Sequence, residues 1–236
     1  MIRLLVDPEA LTSDGELTLT REESHHFTVR RGAPGDPVVL MDGAGGVGQG
    51  TVVSTGTAVR VAMQKVQYLP QPGRLTLAVG AGDRDRFTWL VEKAAELAVT
   101  DIIPLKTSRS ASVASGIKAS QLAKLNQRAR EAIKQSGSAW APVVSPMATV
   151  NWIAEQPWTG NRWLAHQEGE SVFRMESAPE LILVVGPEGG LDESEQGLLV
   201  DAGFERIELG GHTLRFETAA LLGAGIAGLL RAGRPK

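Results

Sequence analysis

The stretch that decides the fold is Leu181–Gly190, LILVVGPEGG, and Leu209–Ala220, LGGHTLRFETAA, has the same pattern. In both, a short apolar run enters a turn rich in glycine, and a segment with helical character follows. Proteins of the α/β class bind ligands at such turns, at the carboxyl ends of their strands. The two stretches therefore predict an α/β fold with a ligand site built from two turns.

A helix is expected directly after the first turn, because Asp192 fits an N-cap and Glu195 completes a capping box. Upstream, from Leu75 onward, apolar strands alternate with segments of helical period. Residues 1–70 instead contain short strands separated by Gly, Pro and Asp. The sequence thus predicts a small β-barrel over residues 1–70 and an α/β domain over residues 74–236, with a linker between them.

Two further expectations concern the second domain. A helix rich in small residues is predicted over Thr218–Arg231. Its three glycines, Gly223 among them, indicate a closely packed neighbour, which is either a helix of the same chain or a second subunit. A strand is predicted over Arg162–Ala165. The polar residues that follow it, His166–Glu170, predict a loop at the end of this strand.

The composition narrows the possible classes of function. The 236 residues carry a net charge of −3, which argues against a non-specific nucleic-acid binder, so any RNA contact must come from local patches. The absence of cysteine excludes disulfides and thiol chemistry, and the four histidines lack the spacing of metal ligands. Without an apolar run of about 18 residues, we expect a soluble, cytoplasmic protein with no metal and no membrane contact.

Glycine-rich segments earlier in the chain suggest nucleotide sites but fit them poorly. Gly43, Gly45 and Gly48 spell G-x-G-x-x-G, yet a β-like sequence follows instead of a helix, which favours a hairpin. The segment Gly80–Gly82 lacks the third glycine, and no P-loop motif occurs in the chain. A nicotinamide-dependent enzyme stays open as an alternative, with Asp101 as the carboxylate for the cofactor ribose.

Four arginines are candidates for RNA contacts, because a guanidinium group matches phosphate oxygens. Arg30 and Arg31 end the segment His25–Arg31, which fits either a helical turn with a solvated basic end or a phosphate-contacting edge. Arg109 lies in a polar loop after a strand. Arg128 lies on a helix predicted over about residues 118–136, where a merely solvated polar face is the alternative.

Four motifs occur in a specific order along the chain. They are EKAAELAV at Glu92–Val99, QSG at Gln135–Gly137, VGPEGGL at Val185–Leu191, and LG followed by LRFETA within Leu209–Ala219. Their order and spacing resemble the RsmE family of SPOUT methyltransferases over essentially the whole chain. The chain departs from the family pattern at Lys134, Ser138 and Phe216 and within residues 211–213, near the cofactor loops and the side expected to face RNA.

The resemblance implies a particular fold and reaction. The fold would be α/β, with a C-terminal SPOUT domain containing a deep trefoil knot and an N-terminal PUA-like β-barrel; periodicity alone suggests an unknotted doubly wound sheet. The family forms homodimers and methylates N3 of a uridine in 16S ribosomal RNA of the small subunit, uridine 1498, with S-adenosylmethionine. Another RNA target, or a non-catalytic RNA-binding adaptor, stays open as an alternative.

Roles for individual residues follow from the resemblance and from the chemistry of methyl transfer. The N3 proton of uridine must leave, and Arg215 is the candidate catalytic residue that stabilises the anion or orients the base. A structural salt bridge from Arg215 to Glu188 or Glu217 is the alternative. Glycine-rich turns suit the cofactor because the backbone can approach it closely. The predicted cofactor-binding residues are Leu164, Ala165, His166, Val185, Gly186, Pro187, Glu188, Gly190, Leu209, Gly210, Leu214 and Thr218.

Overall fold

The computed structural model describes residues 1–12, 14–80, 82–109, 119–175 and 178–232, which form two compact units. The first unit comprises Met1–Gln71 and Arg130–Ala141, and the second comprises Pro72–Ala129 and the described residues from Pro142 onward. The predicted domain boundary between residues 70 and 74 does not anticipate that Arg130–Ala141 groups with the first unit. The helix start predicted near Lys118 lies outside the described residues.

The first unit contains a five-stranded mixed sheet and a helix. Its elements are β1 (Ile2–Leu5), β2 (Glu16–Thr18), α1 (Arg21–Val29), β3 (Pro37–Met41), β4 (Gly46–Ser54) and β5 (Arg60–Tyr68). The strand order is β1-β3-β4-β5-β2, with β1 parallel to β3 and the other neighbours antiparallel. Leu4, Leu40, Val61 and Phe27 are fully buried in its core. The β-rich character predicted for this part of the chain is confirmed.

Two expectations from the sequence can be compared with this unit. Gly43 and Gly45 have φ values of +74° and +101° and form the turn between β3 and β4, so the G-x-G-x-x-G motif is the predicted hairpin. His25–Val29 belongs to α1, which agrees with the helical interpretation of that segment. Arg30 and Arg31 follow at the exposed end of this helix.

The second unit contains a parallel sheet between helices. Its strands are β6 (Leu75–Gly80), β7 (Asp101–Lys106), β8 (Val143–Val144), β9 (Ala148–Thr149), β10 (Asn161–Ser171), β11 (Leu181–Val185) and β12 (Glu205–Glu208). Its helices are α2 (Arg84–Ala94), α3 (Ala119–Ser136, whose last residues group with the first unit), α4 (Val150–Glu155), α5 (Glu193–Asp201) and α6 (Phe216–Ala232). The strand order is β12-β10-β11-β6-β7-β8, with β9 also paired to β7, and each of these pairs is parallel. The α/β class is therefore as predicted, while the knot stays a prediction.

Strand β11 lies inside this sheet, and all five of its residues are buried. Leu181, Leu183 and Val185 pack on the face that carries α2 and α6, whereas Ile182 and Val184 pack on the face that carries α4 and α5. A strand covered on both faces is apolar at every position, which explains why this run is continuous rather than alternating.

Strand β10 is longer than the sequence predicts. The prediction of a loop at His166–Glu170 is wrong, because β10 continues through these residues to Ser171. The pairing with β12 shifts register, so that both Ala165 and Glu170 align with Ile207. The polar residues between them form an irregularity within the ladder, and this accounts for their loop-like sequence.

The glycines of α6 differ in their surroundings. A Cβ on Gly223 would overlap the side chain of Leu183, so its close neighbour is strand β11 of the sheet and not the helix or second subunit that the sequence predicts. Gly225 and Gly228 have more room, because added Cβ atoms would lie 4.0 Å and 3.6 Å from atoms of Leu97.

Candidate functional site

The turns predicted to form the ligand site lie together at one edge of the second unit's sheet. Strands β10, β11 and β12 run parallel, and the turns after β11 and β12 meet the irregular part of β10 there. They surround a cavity of about 530 Å³. Its described lining comprises Arg109, residues 164–168, residues 185–191, Gln196, Leu209, Gly210, residues 212–214, Phe216 and Ala219.

The turn after β11 depends on glycine for its shape. Gly190 has a φ of +70°, a left-handed conformation that other residues rarely adopt, and its N–H donates to the Pro187 carbonyl at 2.8 Å. A Cβ on Gly186 would lie 2.9 Å from the Leu191 nitrogen. The backbone therefore closes tightly and forms part of the cavity wall.

The end of β6 supports this turn by close packing. A Cβ on Gly80 would overlap the backbone nitrogen of Pro187, and a Cβ on Gly82 would overlap the Glu188 carboxylate. In the sequence, these two glycines suggest a possible nucleotide motif. The structure gives them another role, since their small size lets the two segments approach each other.

The start of α5 connects the same turn to the loop after β7. The Asp192 carboxylate accepts from the Glu195 N–H at 2.8 Å, and the Glu195 carboxylate accepts from the Asp192 N–H at 3.0 Å, which confirms the predicted capping box. The Glu195 carboxylate also accepts from the Ser108 N–H at 2.7 Å and its hydroxyl at 3.2 Å. Hydrogen bonds from the Glu195 N–H and then from Ser108 lower the pKa of Asp192.

The structure brings together nearly all the residues predicted to bind the cofactor. Of that set, Thr218 alone is absent from the described cavity lining, and it is exposed on α6. The sequence prediction missed Gln167 and Thr213, although both adjoin predicted residues. The Gln167 amide donates to the Thr213 hydroxyl at 2.5 Å and so links two of the lining segments. Both residues lie next to predicted residues in the sequence, and this position could have identified them.

Arg215 lies next to the cavity rather than in its wall. It is exposed, and its neighbours Leu214 and Phe216 line the cavity. Within the described ranges, Arg215 forms none of the ion pairs, so the structural salt bridge considered for it is not observed. Glu217 is buried and lies 3.9 Å from the Arg86 guanidinium, and its other carboxylate oxygen has no hydrogen-bond partner among the described residues.

The four arginines proposed as RNA contacts differ in their environments. Arg30 and Arg31 are exposed in the first unit. Arg128 is 64% exposed and lies 3.5 Å from the Glu92 carboxylate, which leaves it accessible but partly neutralised. Arg109 lines the cavity and donates to the Gly189 carbonyl at 2.9 Å, a location that sequence reasoning did not anticipate.

The nicotinamide alternative depends on Asp101, and the structure does not support it. Asp101 is the first residue of β7, so it lies at the amino edge of the parallel sheet, opposite the cavity. Its carboxylate accepts from Arg74 at 3.2 Å and from the Thr100 hydroxyl at 2.8 Å. A ribose-binding carboxylate belongs at the carboxyl edge, where the cofactor lies.

The described ranges offer neither a membrane-spanning helix nor a metal cluster. None of the helices there combines the length and the apolar character that a membrane crossing requires. The same ranges contain no cluster of three or more His, Asp or Glu side chains arranged to hold a metal ion.

Residues 69–227 match a family of RNA methyltransferase domains. The match covers more than half of the chain, and the chain belongs to this family. Ribosomal RNA small subunit methyltransferase E of Synechocystis is 29% identical over 92% of this chain and 74% of its own length. The protein of the same name from Mycobacterium bovis is 29% identical over 98% of this chain and 93% of its own length.

A solved structure extends the likeness to the whole fold. Ribosomal RNA small subunit methyltransferase E from Neisseria gonorrhoeae, bound to S-adenosyl methionine, superposes with a TM-score of 0.85. It is 25% identical, and the match covers 95% of each chain. Together these likenesses confirm the predicted membership of the RsmE family.

Proposed function

We propose that this chain transfers a methyl group from S-adenosylmethionine to N3 of a uridine in 16S ribosomal RNA of the small subunit, at the family's target uridine 1498. The observation that carries the proposal is the cavity at the carboxyl edge of the sheet, in a chain of an RNA methyltransferase family. The relatives are named for ribosomal RNA of the small subunit, and the gonococcal protein binds S-adenosyl methionine.

The residues around the cavity fit this cofactor. Gly186 and Gly190 line the cavity without side chains, so a ligand can approach the backbone of this turn closely, and backbone groups can pair with the edge of an adenine. Leu164, Leu209 and Leu214 add apolar surface against which a ring can pack. The lining therefore combines apolar surface with polar and charged groups that can fix the orientation of a small molecule.

The reaction mainly requires positioning. S-adenosylmethionine, when bound, supplies a methyl group that its sulfonium already activates. The cavity walls hold donor and acceptor in line, which can lower the barrier by several kcal/mol. The transfer would form the N3–methyl bond and break the methyl–sulfur bond, with the neutral thioether as leaving group. The N3 proton goes to a base, and Arg215 stabilises the negative charge on the uracil or orients that base. Its exposed position beside the cavity suits a target that arrives from solvent.

The proposal includes a homodimer in the cytoplasm. Leu222 and Leu229 of α6 are 40% and 74% exposed, and exposed apolar residues on one helix favour a protein partner. Arg30, Arg31, Arg109 and Arg128 stay candidates for contacts with the RNA.

Replacement of Arg215 tests the reaction. Because Arg215 lies outside the described cavity wall, we expect Arg215→Ala to keep its affinity for S-adenosylmethionine and to lose methyl transfer to 16S RNA by about 100-fold or more. Titration calorimetry measures the first quantity, and incorporation of labelled methyl groups, mapped by mass spectrometry, measures the second. Arg206→Ala, an exposed arginine on β12, is the matched control.

Three outcomes would contradict the proposal. Wild-type turnover in Arg215→Ala would remove the catalytic role of this residue. Methylation of another RNA, but not of 16S RNA, would favour a different target. RNA binding by the wild-type protein without any methyl transfer would favour the adaptor function.

A further inference from the structure

Both the apolar stem and the guanidinium of Arg109 contact the glycine turn that forms part of the cavity wall. Its guanidinium donates to the Gly189 carbonyl at 2.9 Å. A Cβ on Gly189 would lie 3.4 Å from the Cβ and 3.7 Å from the Cδ of Arg109, so the apolar stem covers this glycine. A Cβ on Gly190 would lie 4.0 Å from the Nη1 atom. Arg109 therefore packs along the turn that forms one wall.

The guanidinium retains donors beyond the one that Gly189 accepts. A guanidinium carries five N–H groups in a planar fork, which matches a carboxylate bidentately. Across the described ranges, none of the ion pairs includes Arg109. A charged group with spare donors at a cavity wall is suited to an anionic part of the ligand.

The formal charges around the cavity identify that anionic part. Apart from histidines, the charged residues in the described lining are Arg109, Glu168 and Glu188. S-adenosylmethionine carries one carboxylate and two cations, the ammonium and the sulfonium. One positive and two negative lining residues complement these groups in number and sign. An RNA phosphate would account for the arginine but not for the two carboxylates.

We infer that Arg109 binds the carboxylate of the methionine part of the cofactor, rather than an RNA phosphate. This inference rests on the proposed function, since it takes S-adenosylmethionine to be the ligand. Arg109 thus has two roles: it packs on the Gly189 turn and it recognises the carboxylate. In this inference Arg109 binds the cofactor carboxylate instead of the RNA phosphate that the sequence prediction assigns to it.

The test removes the carboxylate from the ligand and the guanidinium from the protein in turn. Calorimetry on the full chain compares S-adenosylmethionine with its decarboxylated analogue, for the wild type and for Arg109→Met, which keeps an apolar stem on Gly189. We expect decarboxylation to weaken binding to the wild type by about 10- to 100-fold, as for a lost charged hydrogen bond. For Arg109→Met the two ligands should bind about equally. Arg74→Ala, an exposed arginine at the opposite edge of the sheet, should behave as the wild type.

The outcomes separate the inference from the proposed function. If decarboxylation weakens binding equally in the wild type and in Arg109→Met, Arg109 only shapes the turn and the inference is overturned. If Arg109→Met keeps full affinity for S-adenosylmethionine and loses RNA binding, the residue is an RNA contact, which also overturns it. If the wild type binds neither ligand, the proposed function fails as well.

Discussion

At the scale of single residues, Lys134 explains one departure from the family pattern. Its ammonium donates to the Glu23 carboxylate at 2.7 Å and also pairs with Glu131. Glu23 is almost fully buried, and it accepts a further hydrogen bond from the Leu5 N–H at 3.0 Å. These contacts lie within the first unit. Lys134 therefore satisfies a buried carboxylate, and this departure has a structural cause.

Loss of this ion pair should destabilise the protein. Lys134→Met leaves Glu23 buried beside an apolar side chain, and breaking a buried pair costs about 3–5 kcal/mol. Lys93→Met is the matched control, because its pair with Glu96 is exposed and worth less than about 1 kcal/mol. Urea unfolding measures both values. Similar losses for the two variants would contradict the structural role of Lys134.

The same pair predicts a pH dependence. Burial by itself lowers the pKa of Lys134, but the hydrogen bonds that its ammonium donates to Glu131 and Glu23, and the charges of these carboxylates, outweigh burial and raise the pKa above 10.5. A raised pKa in the folded state means that the stabilisation is fully present below about pH 10.5 and is lost as the pH rises through the folded value. The difference in unfolding free energy between wild type and Lys134→Met should therefore shrink as the pH rises through that alkaline range.

At the scale of elements, the site depends on segments that approach each other without side chains between them. β6 ends at Gly80 against the turn after β11, and the capping box of α5 ties that turn to the loop after β7. The turn is thus held on one side by close backbone packing at Gly80 and on the other side by the carboxylates of Asp192 and Glu195. A substitution at the end of β6 or in the loop after β7 should therefore change the shape of the cavity.

A methyl group at the end of β6 should disturb the cavity. Because a Cβ on Gly80 would overlap the Pro187 nitrogen, we expect Gly80→Ala to shift the turn and to weaken binding of S-adenosylmethionine by more than about tenfold. Gly197→Ala in α5 is the control, since a Cβ there meets nothing within 4 Å, and alanine should stabilise the helix by about 0.5–1 kcal/mol. Calorimetry and thermal unfolding measure the two effects. Unchanged affinity in Gly80→Ala would show that the turn adapts.

At the scale of the whole molecule, the two units offer different kinds of surface. The second unit contains the cavity, and the first presents exposed cations at the end of α1. The modest net charge of −3 leaves RNA binding to such local groups. We therefore expect the first unit to contribute phosphate contacts.

Charge reversal tests this expectation. Arg30→Glu combined with Arg31→Glu should weaken binding of 16S RNA, and the salt dependence of the affinity should fall by about 0.7–0.9 per lost contact on a double logarithmic scale. Arg21→Glu, an exposed arginine at the start of the same helix, is the control. Binding assays at several salt concentrations provide the slope. An unchanged slope in the double variant would mean that this surface does not contact the RNA.

Local sequence determined much of the fold and the composition of the candidate site. The apolar run of β11, the capping box at Asp192 and the glycine turn at Gly190 depend on residues close in the chain, so periodicity and turn chemistry predict them. Tertiary structure alone decided the course of β10 past Ala165, the burial of Glu23 beside Lys134 and the place of Arg109 in the cavity wall. Each of these results from packing between segments far apart in sequence, and a local pattern carries no information about such a partner.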